Sequence, residues 1–72
     1  MTDREIVETA EAAFKAFDSL AKGQAVDITK TKTWKIDKQI MREICFWYID
    51  TKRLEHCDEY IMNDDYTIIK RV

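Results

Sequence analysis

The apolar residues Ile6, Val7, Ala10, Ala13, Phe14, Phe17, Leu20 and Ala21 recur at three- and four-residue spacing. That spacing lines one face of a helix and predicts an α-helix over residues 3–22. The local chemistry agrees. Thr2 and Glu5 form a capping box, in which each side chain can satisfy the other's free backbone N–H. Asp3 and Glu5 suit the positive end of the helix dipole and Lys22 the negative end. Glu11 with Lys15 and Asp18 with Lys22 are favourable i,i+4 pairs. Gly23 can take the left-handed conformation that closes a helix.

The period then changes. Val26 and Ile28 alternate with Asp27 and Thr29, and a Thr-Lys-Thr-Lys-Thr run leads on to Trp34. Period two and β-branched residues predict an extended strand with Val26, Ile28, Trp34 and Ile36 on one face. Lys30 and Lys32 interrupt that face, so the alternative is a short strand at 25–29 followed by a solvated loop.

Helical spacing returns at Ile36, Ile40, Met41, Ile44, Cys45, Tyr48 and Ile49, with Thr33 or Asp37 as N-cap. Past Asp50 two readings compete. Leu54, Cys57, Tyr60 and Ile61 fit a short third helix starting at Asp50 or Thr51. Ile40, Trp47, Leu54 and Ile61 recur every seven residues and fit one long helix, with intermediate positions too polar for a coiled coil. The C-terminal stretch reads as a hairpin: strand from Tyr60 to Met62, turn at Asn63-Asp64-Asp65, strand from Tyr66 to Val72. Asn and Asp tolerate positive φ and replace glycine in that turn.

These elements predict an α+β fold: a long N-terminal helix, a central helix with a possible short third, and a small antiparallel sheet that includes the hairpin. The 72 residues leave room for a single domain, 1–72. The order resembles that of a winged helix-turn-helix. That resemblance is topological, and it implies DNA binding through Lys52, Arg53 and His56 on the candidate recognition helix. Glu55, Asp58 and Glu59 oppose those cations, a mixture that phosphates repel. Nucleic acid is therefore the lesser expectation.

Charge narrows the function classes further. The chain has 12 basic and 14 acidic residues, and only residues 23–35 show a positive balance. The lysines at 30, 32, 35 and 38 make a basic strip beside Trp34, which a solvated strand or loop explains more simply than a single-strand binding site. The N-terminus is acidic rather than signal-like, and the longest apolar run, Ile44 to Ile49, is far short of a membrane span. Cytoplasm is the expected compartment, with Cys45 and Cys57 as reduced thiols.

Metal and catalytic readings are weak. His56 and Cys57 are adjacent, so on a helix they point apart, and no paired cysteine or histidine spacing is present. Asn63, Asp64 and Asp65 lack the spaced ligands of a calcium loop. A chain this short surrounds a Cys–His pair with no substrate cleft, so no catalytic, cofactor or metal site is expected. The remaining signal is aromatic. Phe46, Trp47 and Tyr48 span about 200° of a helix at 3.6 residues per turn, more than a small core covers. With Trp34 they are the candidate contact residues of a protein-interaction module: an adaptor, inhibitor or subunit that binds a protein partner or itself.

Overall fold

A computed structural model describes all residues from Met1 to Val72. The first helix, α1 (Asp3–Asp18), opens on the expected capping box, with the Thr2 hydroxyl accepting from the Glu5 N–H at 3.2 Å. The Glu5 carboxylate accepts from the Thr2 N–H and hydroxyl, which holds its pKa below the usual range. The helix ends one turn earlier than its periodicity predicts. The Ser19 hydroxyl donates back to the Lys15 carbonyl at 2.9 Å, and the Arg71 guanidinium captures the Leu20 carbonyl at 2.6 Å. Leu20 is still buried, but from a turn in which Gly23 takes φ 86° and donates to the Arg71 carbonyl.

The threonine-lysine run is neither strand nor loop. The first strand, β1, covers only Ala25–Asp27, and a 3-10 turn at Ile28–Lys30 and a short helix α2 (Lys32–Ile36) follow it. Two side-chain caps explain this. The Asp27 carboxylate accepts from the Thr29 N–H and hydroxyl, and the Thr31 hydroxyl accepts from the Trp34 N–H. Asp37 then ends α2 and caps the long helix α3 (Lys38–Leu54), its carboxylate accepting from the Ile40 N–H at 3.2 Å.

A single helix α3 therefore runs from Lys38 through the place where a third helix was a possibility. Thr51 does not cap a new helix, because its hydroxyl donates to the Trp47 carbonyl one turn back at 2.9 Å. The helix closes in a Schellman motif: His56 takes φ 59°, Cys57 N–H donates to the Lys52 carbonyl and His56 N–H to the Arg53 carbonyl. Residues beyond it extend into β2 (Tyr60–Met62), which with β3 (Ile68–Arg71) forms the C-terminal hairpin.

The sheet is antiparallel in the order β1-β3-β2, with Val26 opposite Ile69 and Met62 opposite Ile69 on the other side. Along the chain α1 is followed by β1, the helices α2 and α3 and the C-terminal hairpin β2–β3, called the wing below. Where α1, α3 and the sheet meet lies the core of Ala10, Phe17, Ile28, Met41, Ile44, Cys45, Tyr48 and Ile69. Tyr48 is its hub. Its ring lies 5.0–5.2 Å from those of Phe17, Phe14 and Tyr60, and its hydroxyl donates to the Asp18 carboxylate at 2.6 Å. Phe17 is buried against α3, whereas Phe14 is half-buried, edge-on to Trp47 and Tyr48. No helix is long and apolar enough to cross a membrane.

Candidate functional site

The three consecutive aromatics of α3 separate by role. Tyr48 is 1% exposed and belongs to the core, so it is corrected out of the contact set. Burial and the Asp18 carboxylate push its phenol pKa upward, so the hydroxyl stays protonated and donating. Phe46 and Trp47 are 40% and 55% exposed. Trp47 leans on Phe14 at 5.3 Å. Phe46 faces the other way, against Tyr66 at the tip of the wing, with ring centroids 5.1 Å apart.

That pair heads a groove of about 330 Å³ between α3 and β2, floored by Ile49 and Met62 and bordered by Ile61, Asp50 and Arg53. A second groove of about 240 Å³ shares Ile49, Arg53, Tyr60 and Ile61 and reaches on to Cys57 and Asp58. The two form one trough along the α3–β2 seam. Ile61 and Tyr66 are half exposed there. A larger groove of about 400 Å³ between α1 and α2, lined by Glu5, Glu8, Ala12, Lys32 and Ile36 among others, presents no aromatic side chain.

Tyr66 is held unusually. Asn63 organises the wing turn: its side-chain carbonyl accepts from the Thr67 and Ile68 N–H groups, and its backbone carbonyl from the Tyr66 N–H. Tyr66 follows with φ 57°, where a hairpin turn ordinarily places glycine. A bulky residue in that region is disfavoured, and an exposed ring recovers little by burial. The acidic residues Asp64 and Asp65 precede it, both exposed.

The DNA-contact set of the sequence reading is occupied elsewhere. The Lys52 ammonium lies 3.1 Å from Asp18 and 3.6 Å from Glu55, and the Asp18 hydrogen bond raises its pKa. Arg53 is 3.7 Å from Asp50. His56 is the left-handed residue of the α3 cap. A different set of cations stands unpaired. Lys30, Lys32, Lys35, Lys38 and Arg42 lie on or beside α2 and the first turns of α3, and none is within ion-pair distance of a carboxylate. Arg42 and Lys38 sit over the half-buried Trp34 ring, at 5.2 and 5.9 Å. The sequence marks this strip by Lys30, Lys32, Lys35 and Lys38; Arg42 joins it because α3 begins at Lys38.

Both cysteines are free thiols. Burial pushes Cys45 up to about 12, which makes it a poor nucleophile. No group of three or more His, Cys, Asp and Glu side chains converges to hold a metal ion. The chain matches no family model, no curated protein and no solved structure.

Proposed function

We propose that this chain is a cytoplasmic protein-interaction module, an adaptor, inhibitor or subunit with no catalysis of its own, which takes its partner in the α3–wing trough. The observation that carries this reading is Tyr66: a half-exposed ring at a backbone position suited to glycine, tilted against the exposed Phe46. Backbone strain of this kind clusters at functional sites, and here no helix cap accounts for it. Exposed aromatic anchors of low rotamer entropy are the residues that dominate interface energetics. Among the sequence-predicted residues, Phe46 lies in the trough, Trp47 borders Phe14, and Trp34 is covered by cations.

Site-specific photo-crosslinking tests it. With p-benzoylphenylalanine in place of Ile61, ultraviolet irradiation in native cells should give a discrete adduct with one protein. The same group in place of Ala12, in the α1–α2 groove, should not. Equal labelling from both positions, or none from position 61, contradicts the reading.

The unpaired cations favour a second reading, a winged-helix DNA-binding regulator. Helix-turn-helix proteins meet phosphates with the helix pair, which is where Lys35, Lys38 and Arg42 stand. Opposing it, Glu43 and Asp50 share the exposed side of α3, and the wing tip carries Asp64 and Asp65. On this reading duplex retention falls steeply with salt, and Lys38→Ala with Arg42→Ala weakens it for every sequence alike.

A further inference from the structure

The trough follows a strand that has an open edge. In the order β1-β3-β2 only one side of β2 is paired. Tyr60, Ile61 and Met62 all line the groove, although successive strand residues face opposite sides of a sheet. A groove touched by both faces of a strand lies along its edge.

The register fixes which backbone groups are free there. Val72 N–H donates to the Glu59 carbonyl, and Asn63 N–H donates to the Ile68 carbonyl. Ile61, midway between them and opposite Lys70, completes the hydrogen-bonded series. Tyr60 and Met62 occupy the alternate positions, so their N–H and C=O groups turn to the open edge. A free edge beside an apolar trough is a template for an added strand.

The charges around the trough choose the partner. Asp50 and Asp58 line it, and Asp64 and Asp65 adjoin its Tyr66 end. Arg53 is the one cation among the lining residues, and it is already beside Asp50. A second copy of this chain, related by a two-fold axis, would set this acidic rim against itself.

Resting on the interaction reading above, we infer that the occupant is an extended, cationic segment of a partner protein. It adds as a strand to the edge of β2, lays an aliphatic side chain against Phe46 and Tyr66, and sets lysine or arginine over the flanking aspartates. Its backbone exchanges hydrogen bonds with Tyr60 and Met62.

The test uses the full chain, isotope-labelled, and three synthetic peptides. The first is Lys-Arg-Val-Leu-Val-Arg-Lys; the second has the same backbone and apolar centre with Glu and Asp as its charges; the third is the first with alternate backbone nitrogens methylated. The cationic peptide should saturate, shift Phe46, Ile61 and Tyr66, and slow exchange of the Tyr60 and Met62 amide protons. The methylated peptide should bind at least about tenfold more weakly if the added strand is held by its main chain. The double charge reversal Asp64→Lys with Asp65→Lys should weaken the cationic peptide by about tenfold, the effect of 1.4 kcal/mol, and strengthen the acidic one.

Preference for the acidic peptide in the same trough would overturn the cationic assignment and leave the interaction reading standing. Equal binding of the methylated peptide would overturn strand addition alone. If none of the three shifts the trough, the inference is wrong, whatever the crosslinking at position 61 shows. Concentration-dependent shifts at Tyr60 and Met62 without peptide would instead make the occupant a second copy.

Discussion

Two aromatic clusters are built on α3 residues two apart in sequence, Tyr48 and Phe46, and they differ in burial and in backbone setting. The inner one joins Phe14, Phe17, Tyr48 and Tyr60, with its polar tips satisfied: Tyr48 hydroxyl on Asp18, Tyr60 hydroxyl on the Phe17 carbonyl. The outer one joins Phe46 to Tyr66 at the surface, across a turn that holds Tyr66 in a left-handed conformation. The inner rings gain stability by burial. The outer pair is exposed, and its backbone setting opposes folding. On the proposed reading stability and binding draw on different rings, and substitutions can separate them.

The largest contrast is between Phe17 and Phe46. Phe17→Ala should cost about 3–5 kcal/mol through lost burial and a residual cavity, enough to unfold a chain of this size. Phe46→Ala should cost about 1 kcal/mol, the scale of an exposed aromatic pair. Urea denaturation measures both. Similar losses at the two sites would erase the distinction between the clusters.

The inner cluster is also tied to a charge. Tyr48→Phe should cost about 1–2 kcal/mol, since it removes a hydrogen bond to a carboxylate that water still reaches. That hydrogen bond, and then Lys52, lower the Asp18 pKa in the folded state. A depressed carboxylate contributes stability that is present above its unfolded pKa of about 3.9 and is lost as pH falls through the folded value. Thermal melts between neutral and acid pH should therefore show a loss below about pH 4 that Asp18→Asn makes shallower. An unchanged acid limb in Asp18→Asn would remove Asp18 from the account.

His56 calibrates Tyr66, because both sit near φ +58° for different reasons. At His56 the conformation closes α3 through two backbone hydrogen bonds, and the side chain is incidental. His56→Gly should raise stability by about 1 kcal/mol; a loss of stability would show that the imidazole itself holds the cap. The thiols give a smaller readout of the same inside–outside division. Native protein should react rapidly with a thiol reagent at Cys57, and at Cys45 only after denaturation, because Cys45 is fully buried and its pKa is raised. Rapid reaction of both would mean the core around Tyr48 opens freely.

Much of this division was legible in the sequence, and its failures have identifiable causes. The first helix, its cap, the α+β class and the hairpin follow from periodicity and turn chemistry at Ile6 to Leu20 and at Asn63 to Asp65. Periodicity could not see that Ser19 and Arg71 would claim carbonyls and end α1 at Asp18. The threonine run misled because alternation and β-branching resemble a strand, while Asp27 and Thr31 in fact act as successive caps. The aromatic triplet correctly implied more ring surface than one core covers. The helical spacing of Met41, Ile44, Cys45 and Tyr48 marks Tyr48 as the internal ring, but no local signal marks its hydroxyl's partner, Asp18, thirty residues away. Tyr66 was missed altogether, since its significance is a backbone angle. The sequence hint was only that a tyrosine stands just after an Asn-Asp-Asp turn that contains no glycine.

The central claim, that Tyr66 is kept at the wing tip for binding rather than folding, is tested most directly by Tyr66→Asn, with unfolding midpoint and crosslinking from position 61 measured on the same preparation. Asparagine tolerates the left-handed backbone but lacks the ring, so relieved strain offsets the lost contact with Phe46. The account predicts a stability change within about 0.5 kcal/mol together with loss of the adduct. A variant that is strongly destabilised, or that crosslinks as well as the parent chain, would contradict it.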